Sequence, residues 1–192
     1  NVGNSAALVA GQAGAIAKLA ARFKMKPLIR PGLALYGLIP EFDPQFSSAE
    51  PITLGQARVA LQSVLTWKSQ VVSVHSVEPG ASVGYNGTFV ATEPMRLALI
   101  AAGYADGLDR KLGNHFSLLV RGERAPIVGR ISMDQTVLDV TEIADVAPGD
   151  EVILIGNQGE QSISAFDHAR AAGTIPWEIL TRIAARVPRV EV

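Results

Sequence analysis

The apolar positions of this chain change period as the chain proceeds. From Asn4 to Lys26 it is Ala-rich and poor in β-branched residues, and Leu8, Ala15, Ile16, Leu19 and Phe23 recur at helical spacing, which predicts a helix over about Ser5–Phe23. Leu28–Leu38 is a short apolar stretch interrupted by Pro31 and Gly32, and Pro40–Pro51 is polar and proline-punctuated, the best linker candidate. Beyond it, Ala57–Val77 is rich in Val, Ser and Thr and partly alternates, as a half-buried strand or strand pair does. Turn signals at Pro79-Gly80, Asn86-Gly87, Gly113-Asn114, Arg121-Gly122, Pro148-Gly149-Asp150 and Asn157-Gln158-Gly159 then punctuate strand-like runs. These are Met95–Ala102, Phe116–Val120, Ala125–Ile131, Gln135–Val140 and Glu151–Ile155. Short strands at this spacing predict a mainly β domain, an antiparallel sandwich or barrel. Two closing helices follow. Ser164 with Asp167 three residues on forms a capping-box pair for the first, which ends near Gly173. The second has Thr174 as its cap, Pro176 in its first turn and Ile179, Leu180, Ile183 and Ala184 on one face, and it stops before Pro188.

Composition narrows the function classes. The 192 residues are 48% hydrophobic and 18% charged with a formal net charge of −1, which points away from nucleic acid, an acidic partner or a disordered tail. There is no cysteine, so disulfides, thiolate metal sites and cysteine nucleophiles are excluded together. Apolar runs such as Leu97–Ala102 are far too short to span a bilayer, and no basic-then-apolar leader opens the chain. The first residue is Asn1 rather than Met, so the original N-terminus, and any export signal in it, is expected upstream.

Three peptides break the β pattern with residues capable of chemistry. In Ser82–Thr88, Tyr85 follows Gly84 and precedes Asn86-Gly87, where glycine allows a backbone path that presents the phenol, although an ordinary turn tyrosine accounts for this peptide taken alone. Gly103-Tyr104-Ala105-Asp106-Gly107 follows an apolar strand, with Arg110 close behind, so a turn or a functional loop anchored on a rigid element fits it. Gly129-Arg130-Ile131-Ser132-Met133-Asp134-Gln135 places polar groups that must find partners, either closing a turn or lining a site. Upstream, Arg30-Pro31-Gly32-Leu33 offers a guanidinium fork beside backbone N–H groups able to cradle a phosphate. Asn4-Ser5 is first of all a helix cap, with phosphate binding as the sharper alternative. His75, His115 and His168 show no metal-ligand spacing and read as surface or core residues. Asp139, Glu142, Asp145, Asp150 and Glu151 lie around turns and read as a solvated face.

Taken in order, these peptides resemble the alanine racemases. The resemblance rests on Asn-Ser-Ala-Ala at Asn4–Ala7, Arg-Pro-Gly-x-x-x-Tyr-Gly at Arg30–Gly37, Gly-Tyr at Gly84–Tyr85 and Gly-Tyr-Ala-Asp-Gly at Gly103–Gly107. It continues with Gly-Arg-x-Ser-Met-Asp-Gln at Gly129–Gln135 and Arg-Val-Pro-Arg at Arg186–Arg189. It covers the whole chain but about half of the family's chain. It implies that residues 1–55 are the last part of an α/β (TIM-type) barrel that binds pyridoxal 5'-phosphate (PLP), and that residues 56–192 are the C-terminal β domain. The lysine that holds the cofactor is then missing, since Lys18, Lys24, Lys26, Lys68 and Lys111 do not sit in the family's lysine motif.

The resemblance also implies roles. Tyr85 becomes the base that exchanges the α-proton on one face of the amino acid, a task that requires neighbours able to stabilise phenolate, because a free phenol titrates near 10. Arg30 faces the pyridine nitrogen, where an arginine cannot readily give up a proton, so that nitrogen stays unprotonated. Ser5 with the backbone at Gly32 and Leu33 binds the cofactor phosphate, Tyr104 and the backbone at Met133 contact the substrate carboxylate, and Arg110, Arg130 and Ile175 line the entrance. Trp177 stands where the family usually has a tyrosine reaching the phosphate, and Asn1 where many members have histidine. Both departures keep a broader racemase, acting on lysine, arginine or serine, as an alternative. The implied enzyme is a cytoplasmic homodimer with its active site shared across subunits, making D-alanine as a peptidoglycan precursor. It becomes periplasmic if the upstream segment carries an export signal. A non-catalytic β-barrel binding module is the alternative from another class. A PLP-dependent decarboxylase is disfavoured, because that group relies on a cysteine-containing motif.

Overall fold

The computed structural model describes residues 4–9, 11–39 and 61–191, in two compact units, residues 1–65 and 66–192. The candidate linker at Pro40–Pro51, the expected boundary near residue 55 and Asn1 lie outside the described residues.

In the first unit the single helix expected over Ser5–Phe23 is instead two, α1 (Ser5–Val9) and α2 (Ala13–Arg22). Gly11 takes a left-handed conformation with φ of 71°, and the N–H of Gln12 returns to the Ala7 carbonyl at 2.9 Å, closing α1 before α2 begins. Helical spacing in the sequence carried no mark of this break apart from the glycine itself. α2 buries no residue, and Leu19 and Phe23 on its apolar side are exposed. A 3₁₀ turn follows at Gly32–Tyr36, in which Leu33 is buried.

The second unit is built on nine strands among the described residues: β1 (Trp67–Val77), β2 (Ser82–Val83), β3 (Phe89–Val90), β4 (Met95–Ile100), β5 (Ser117–Val120), β6 (Glu123–Pro126), β7 (Thr136–Asp139), β8 (Glu151–Gln158) and β9 (Gln161–Ile163). Every ladder is antiparallel. One sheet runs β6-β5-β8-β1-β4-β7 with β9 added to β8, and β2 pairs with β3 alone. The long β1 serves two neighbours by turns, pairing Lys68 with Ile153 at one end and Val77 with Met95 at the other, with a register shift between Val71 and Ser73 on the way. β8 buries Val152, Ile153, Leu154 and Ile155 in succession, as a strand covered on both faces does.

The expected antiparallel β domain is therefore present, but the sheet is not a closed barrel. Its ends meet at one isolated bridge, Ile127 with Leu138. Beyond Pro126 the Ile127 N–H still donates to the Phe116 carbonyl at 2.8 Å and the Val128 N–H to the Val137 carbonyl at 3.0 Å, before Gly129 with φ of 77° turns the chain out of extended geometry. The run expected as a strand over Ala125–Ile131 is in consequence displaced upstream to Glu123–Pro126.

The two closing helices are α3 (Ala165–Ala172) and α4 (Pro176–Arg182). At α3 the expected capping box is complete: the Ser164 hydroxyl accepts from the Asp167 N–H at 3.2 Å, and the Asp167 carboxylate accepts from the Ser164 N–H at 2.8 Å. Gly173 ends it in the left-handed region. At α4 the cap position is Ile175 rather than Thr174, and the helix stops at Arg182 because the chain beyond it turns onto the Gly103–Gly107 loop, where the Ala184 N–H donates to the Asp106 carbonyl at 3.0 Å.

Candidate active site

Antiparallel pairing decides which loops become neighbours. Ile100 at the end of β4 faces Thr136 at the start of β7, so the loop after β4, with Tyr104, and the loop before β7, with Met133, emerge at the same edge of the sheet. There the Tyr104 N–H donates to the Ser132 carbonyl at 3.0 Å and the Ala105 N–H to the Met133 carbonyl at 2.9 Å. Gly103 makes this approach possible, since a Cβ on it would lie 2.3 Å from the Met133 carbonyl oxygen. The Thr136 hydroxyl, buried, ties the same edge by donating to the Ala102 carbonyl at 2.7 Å.

The Ser82–Thr88 peptide joins by a second close approach. A Cβ on Gly129 would sit 2.8 Å from the Val83 carbonyl oxygen, and one on Gly84 would sit 3.1 Å from the Arg130 nitrogen, so the end of β2 packs directly on Gly129-Arg130. Asn114 braces this contact, its side-chain oxygen accepting from the Gly129 N–H at 2.6 Å while its amide nitrogen donates to Thr88 at 3.4 Å. Tyr85 opens the short 3₁₀ turn that follows Gly84 and is 68% exposed, so its ring is presented rather than packed. Met133 is likewise exposed, and Tyr104 is partly open with the Arg110 guanidinium 5.6 Å from its ring centre. A cavity of about 380 Å³ is lined by Tyr104, Gly107, Leu108, Asp109, Arg110 and Arg182. Ile175 and Trp177 sit exposed at the start of α4.

In the first unit, Ser5 and the Gly32–Tyr36 turn come together, because the buried Ser5 hydroxyl accepts from the Ala34 N–H at 3.1 Å. The hydroxyl keeps its own proton for another acceptor, Gly32 is exposed, and no acidic side chain stands in the first turn of α1 or of the 3₁₀ segment. This donor set suits a phosphate. Arg30 is exposed just upstream.

Ion pairs surround the loops of the second unit. Arg186 donates to Asp106 at 2.8 Å and to Asp134 at 2.6 Å, and Arg182 pairs with Asp109 at 2.7 Å and Glu178 at 2.6 Å. Hydrogen bonds to Asp106 and then to Asp134 raise the Arg186 guanidinium above its already high ordinary value. These partners were not singled out from the sequence: Asp106 and Arg186 lie in peptides that carried the resemblance, but a contact across eighty positions leaves no local signal.

Elsewhere the polar residues serve the fold. His168 is buried, its Nε2 2.7 Å from the Leu154 carbonyl and its ring tilted against Phe116 at 4.6 Å, while His75 and His115 are exposed. Burial holds the His168 pKa below its ordinary value despite the Leu154 bond and the Asp167 charge. Asp167 is also lowered, burial opposing the shift and the hydrogen bonds from Ser164 with the charges of Arg170 and Arg124 prevailing. No group of three or more potential ligands for a metal is found among the described residues.

The second unit is thus a β domain that presents tyrosine, arginine and backbone donors on loops gathered at one edge. Residues 64–191 match the family described as "Alanine racemase, C-terminal domain", and the chain belongs to that family. It is 47% identical over 162 residues to the alanine racemase of Halothermothrix orenii, covering 84% of this chain and 40% of that protein. With the alanine racemase of Desulfosudis oleivorans the identity is 44% over 163 residues, covering 85% and 39%. Among solved structures, the Bartonella henselae alanine racemase with covalently bound pyridoxal phosphate superposes with a TM-score of 0.70 at 35% identity, covering 86% of this chain and 42% of that one. The Bacillus anthracis alanine racemase with bound L-Ala-P gives a TM-score of 0.73 at 32% identity, covering 91% and 47%. The chain spans less than half the length of each of these relatives.

Proposed function

We propose that this chain is the C-terminal part of a PLP-dependent amino-acid racemase that interconverts L- and D-alanine by two-base exchange of the α-proton. The observation that carries this reading is the gathering of the Tyr85, Tyr104 and Met133 loops at one edge of the β domain, in a chain whose family is that of the alanine racemases.

In this reading each side chain has a defined task. The Tyr85 phenolic oxygen takes the α-proton from one face of the bound amino acid and returns one to it. Its exposure gives the ring room to meet a substrate held by residues outside its own packing. Tyr104 and the backbone at Met133 hold the substrate carboxylate, and the hydrogen bonds joining their loops keep that grip at fixed spacing. Arg110, Arg130 and Ile175 line the approach. Ser5 and the backbone at Gly32 and Leu33 hold the cofactor phosphate, and Arg30 faces the pyridine nitrogen. PLP, when bound, supplies the electron sink that spreads the charge left by the departing proton. The opposite base, a lysine that also carries the cofactor, comes from outside residues 1–192. The working enzyme is a cytoplasmic homodimer that shares each active site between subunits and supplies D-alanine for peptidoglycan.

Deuterium wash-in measured separately from L- and D-alanine on the intact enzyme tests the reading. Tyr85→Phe loses exchange from one enantiomer, keeps it from the other and retains the cofactor's absorbance. A variant that racemises like the parent defeats this assignment and favours a binding module. Trp177, in the place of the family's usual tyrosine, favours testing a broader substrate range as the second reading, and turnover of serine, lysine and arginine beside alanine decides between them.

A further inference from the structure

The closing Arg-Val-Pro-Arg peptide has no task in the reading above, yet its first arginine reaches both loops that grip the substrate. We propose that Arg186 is a positioning residue, a staple that holds the Tyr104 loop and the Met133 loop at the spacing needed to bind the substrate carboxylate. This rests on the racemase reading for the identity of the ligand.

The geometry is specific. Nε of Arg186 donates to Asp106 at 2.8 Å and one terminal nitrogen donates to Asp134 at 2.6 Å, so one planar guanidinium spans two carboxylates on different loops. Asp106 is committed to its own loop, accepting the Gly103 N–H at 2.9 Å. Asp134 directly follows Met133. The tail that carries Arg186 is itself held, because Ala184 donates its N–H to the Asp106 carbonyl at 3.0 Å and Arg189 donates to the Ala184 and Ile183 carbonyls at 2.9 and 3.0 Å. Backbone bonds already join the two loops at Tyr104–Ser132 and Ala105–Met133, and Arg186 adds a side-chain bridge from Asp106 to Asp134.

Charge gives the staple a second effect. Without Arg186, Asp106 and Asp134 are two anions on adjoining loops, and their repulsion both spreads the loops and opposes an incoming carboxylate. A lysine in its place offers one compact charge and cannot reproduce the two-pronged grip.

The test is made on the intact enzyme with Arg186→Met, Arg186→Lys and the double variant Arg186→Met/Asp134→Asn. The Arg186 side chain is half exposed, so its loss opens no core cavity. Arg186→Met is expected to raise KM for alanine roughly fivefold with kcat within about twofold, the size expected for two partly exposed ion pairs that act on ground-state and transition-state binding alike. Hydrogen exchange at Tyr104 and Ala105 accelerates, and the KM increase shrinks in high salt. Arg186→Lys recovers part of the loss, and the added Asp134→Asn lowers KM again by removing the repulsion. A fall in kcat or thermal stability with KM unchanged overturns the staple, as does unaltered exchange at Tyr104 and Ala105. If Arg186→Met does not fold, the KM and exchange of Arg186→Lys decide in the same way. A parent enzyme that does not racemise alanine overturns the functional reading instead, and exchange alone then judges the staple.

Discussion

His168 and Tyr85 are polar aromatic residues of one β domain, and the fold treats them in opposite ways. His168 is placed by a helix whose cap and stop are both explicit, it sits in the core, and its ring nitrogen is committed to the Leu154 carbonyl. Tyr85 is placed by the approach of Gly84 to Arg130 and of Gly129 to Val83, contacts between backbones that hold the turn and leave the phenol open. A polar group that serves architecture is satisfied from within the fold. Tyr85, the proposed base, has its backbone held and its side chain left exposed.

The largest effect that can break this comparison is at Tyr85. Tyr85→Phe should lower racemisation by about 10²- to 10⁴-fold, the usual worth of a positioned acid–base group, while leaving the unfolding midpoint unchanged, because no packing is lost. A clear loss of stability would erase the distinction. Leu119→Ala probes the other side. Leu119 is fully buried against Ile153 and Ile163, so its truncation should cost about 2–5 kcal/mol in urea unfolding of the purified chain. Ser164→Ala removes the cap of α3 and the hydroxyl bonded to Asp167, and about 1 kcal/mol should be lost. The finest test is pH. Because burial holds His168 below its ordinary 6.5, the folded state resists protonation that the unfolded chain accepts. The contribution is complete above 6.5 and is lost as pH falls from there through the lower, folded value. Urea midpoints measured from about pH 7.5 to about pH 5 should show this fall, and His168→Gln should flatten it.

The parts legible in the sequence were those written locally. Ser164, Asp167 and Gly173 bound α3 as their chemistry requires, and β4, β5 and β7 lie within the runs marked by turn residues. Errors arose where a distant partner set the outcome. α4 ends at Arg182 because the next residues bond to the Gly103–Gly107 loop, and the strand expected over Ala125–Ile131 is cut short where Gly129 packs against Val83. Of the site, the peptides carrying Tyr85, Tyr104 and Met133 stood out in the sequence, whereas Asn114, Asp106 and Arg186, although they lie in marked peptides, were given no role, because a brace is defined by what it touches.

The sequence by itself determined which residues could do chemistry, where α3 begins and ends, and that the domain is antiparallel β, since caps, turn residues and alternation act over a few positions. Only the tertiary structure decided which loops share an edge. The pairing of Ile100 with Thr136 and the span of Arg186 from Asp106 to Asp134 depend on backbones meeting across long stretches of chain, and no short-range rule encodes that meeting.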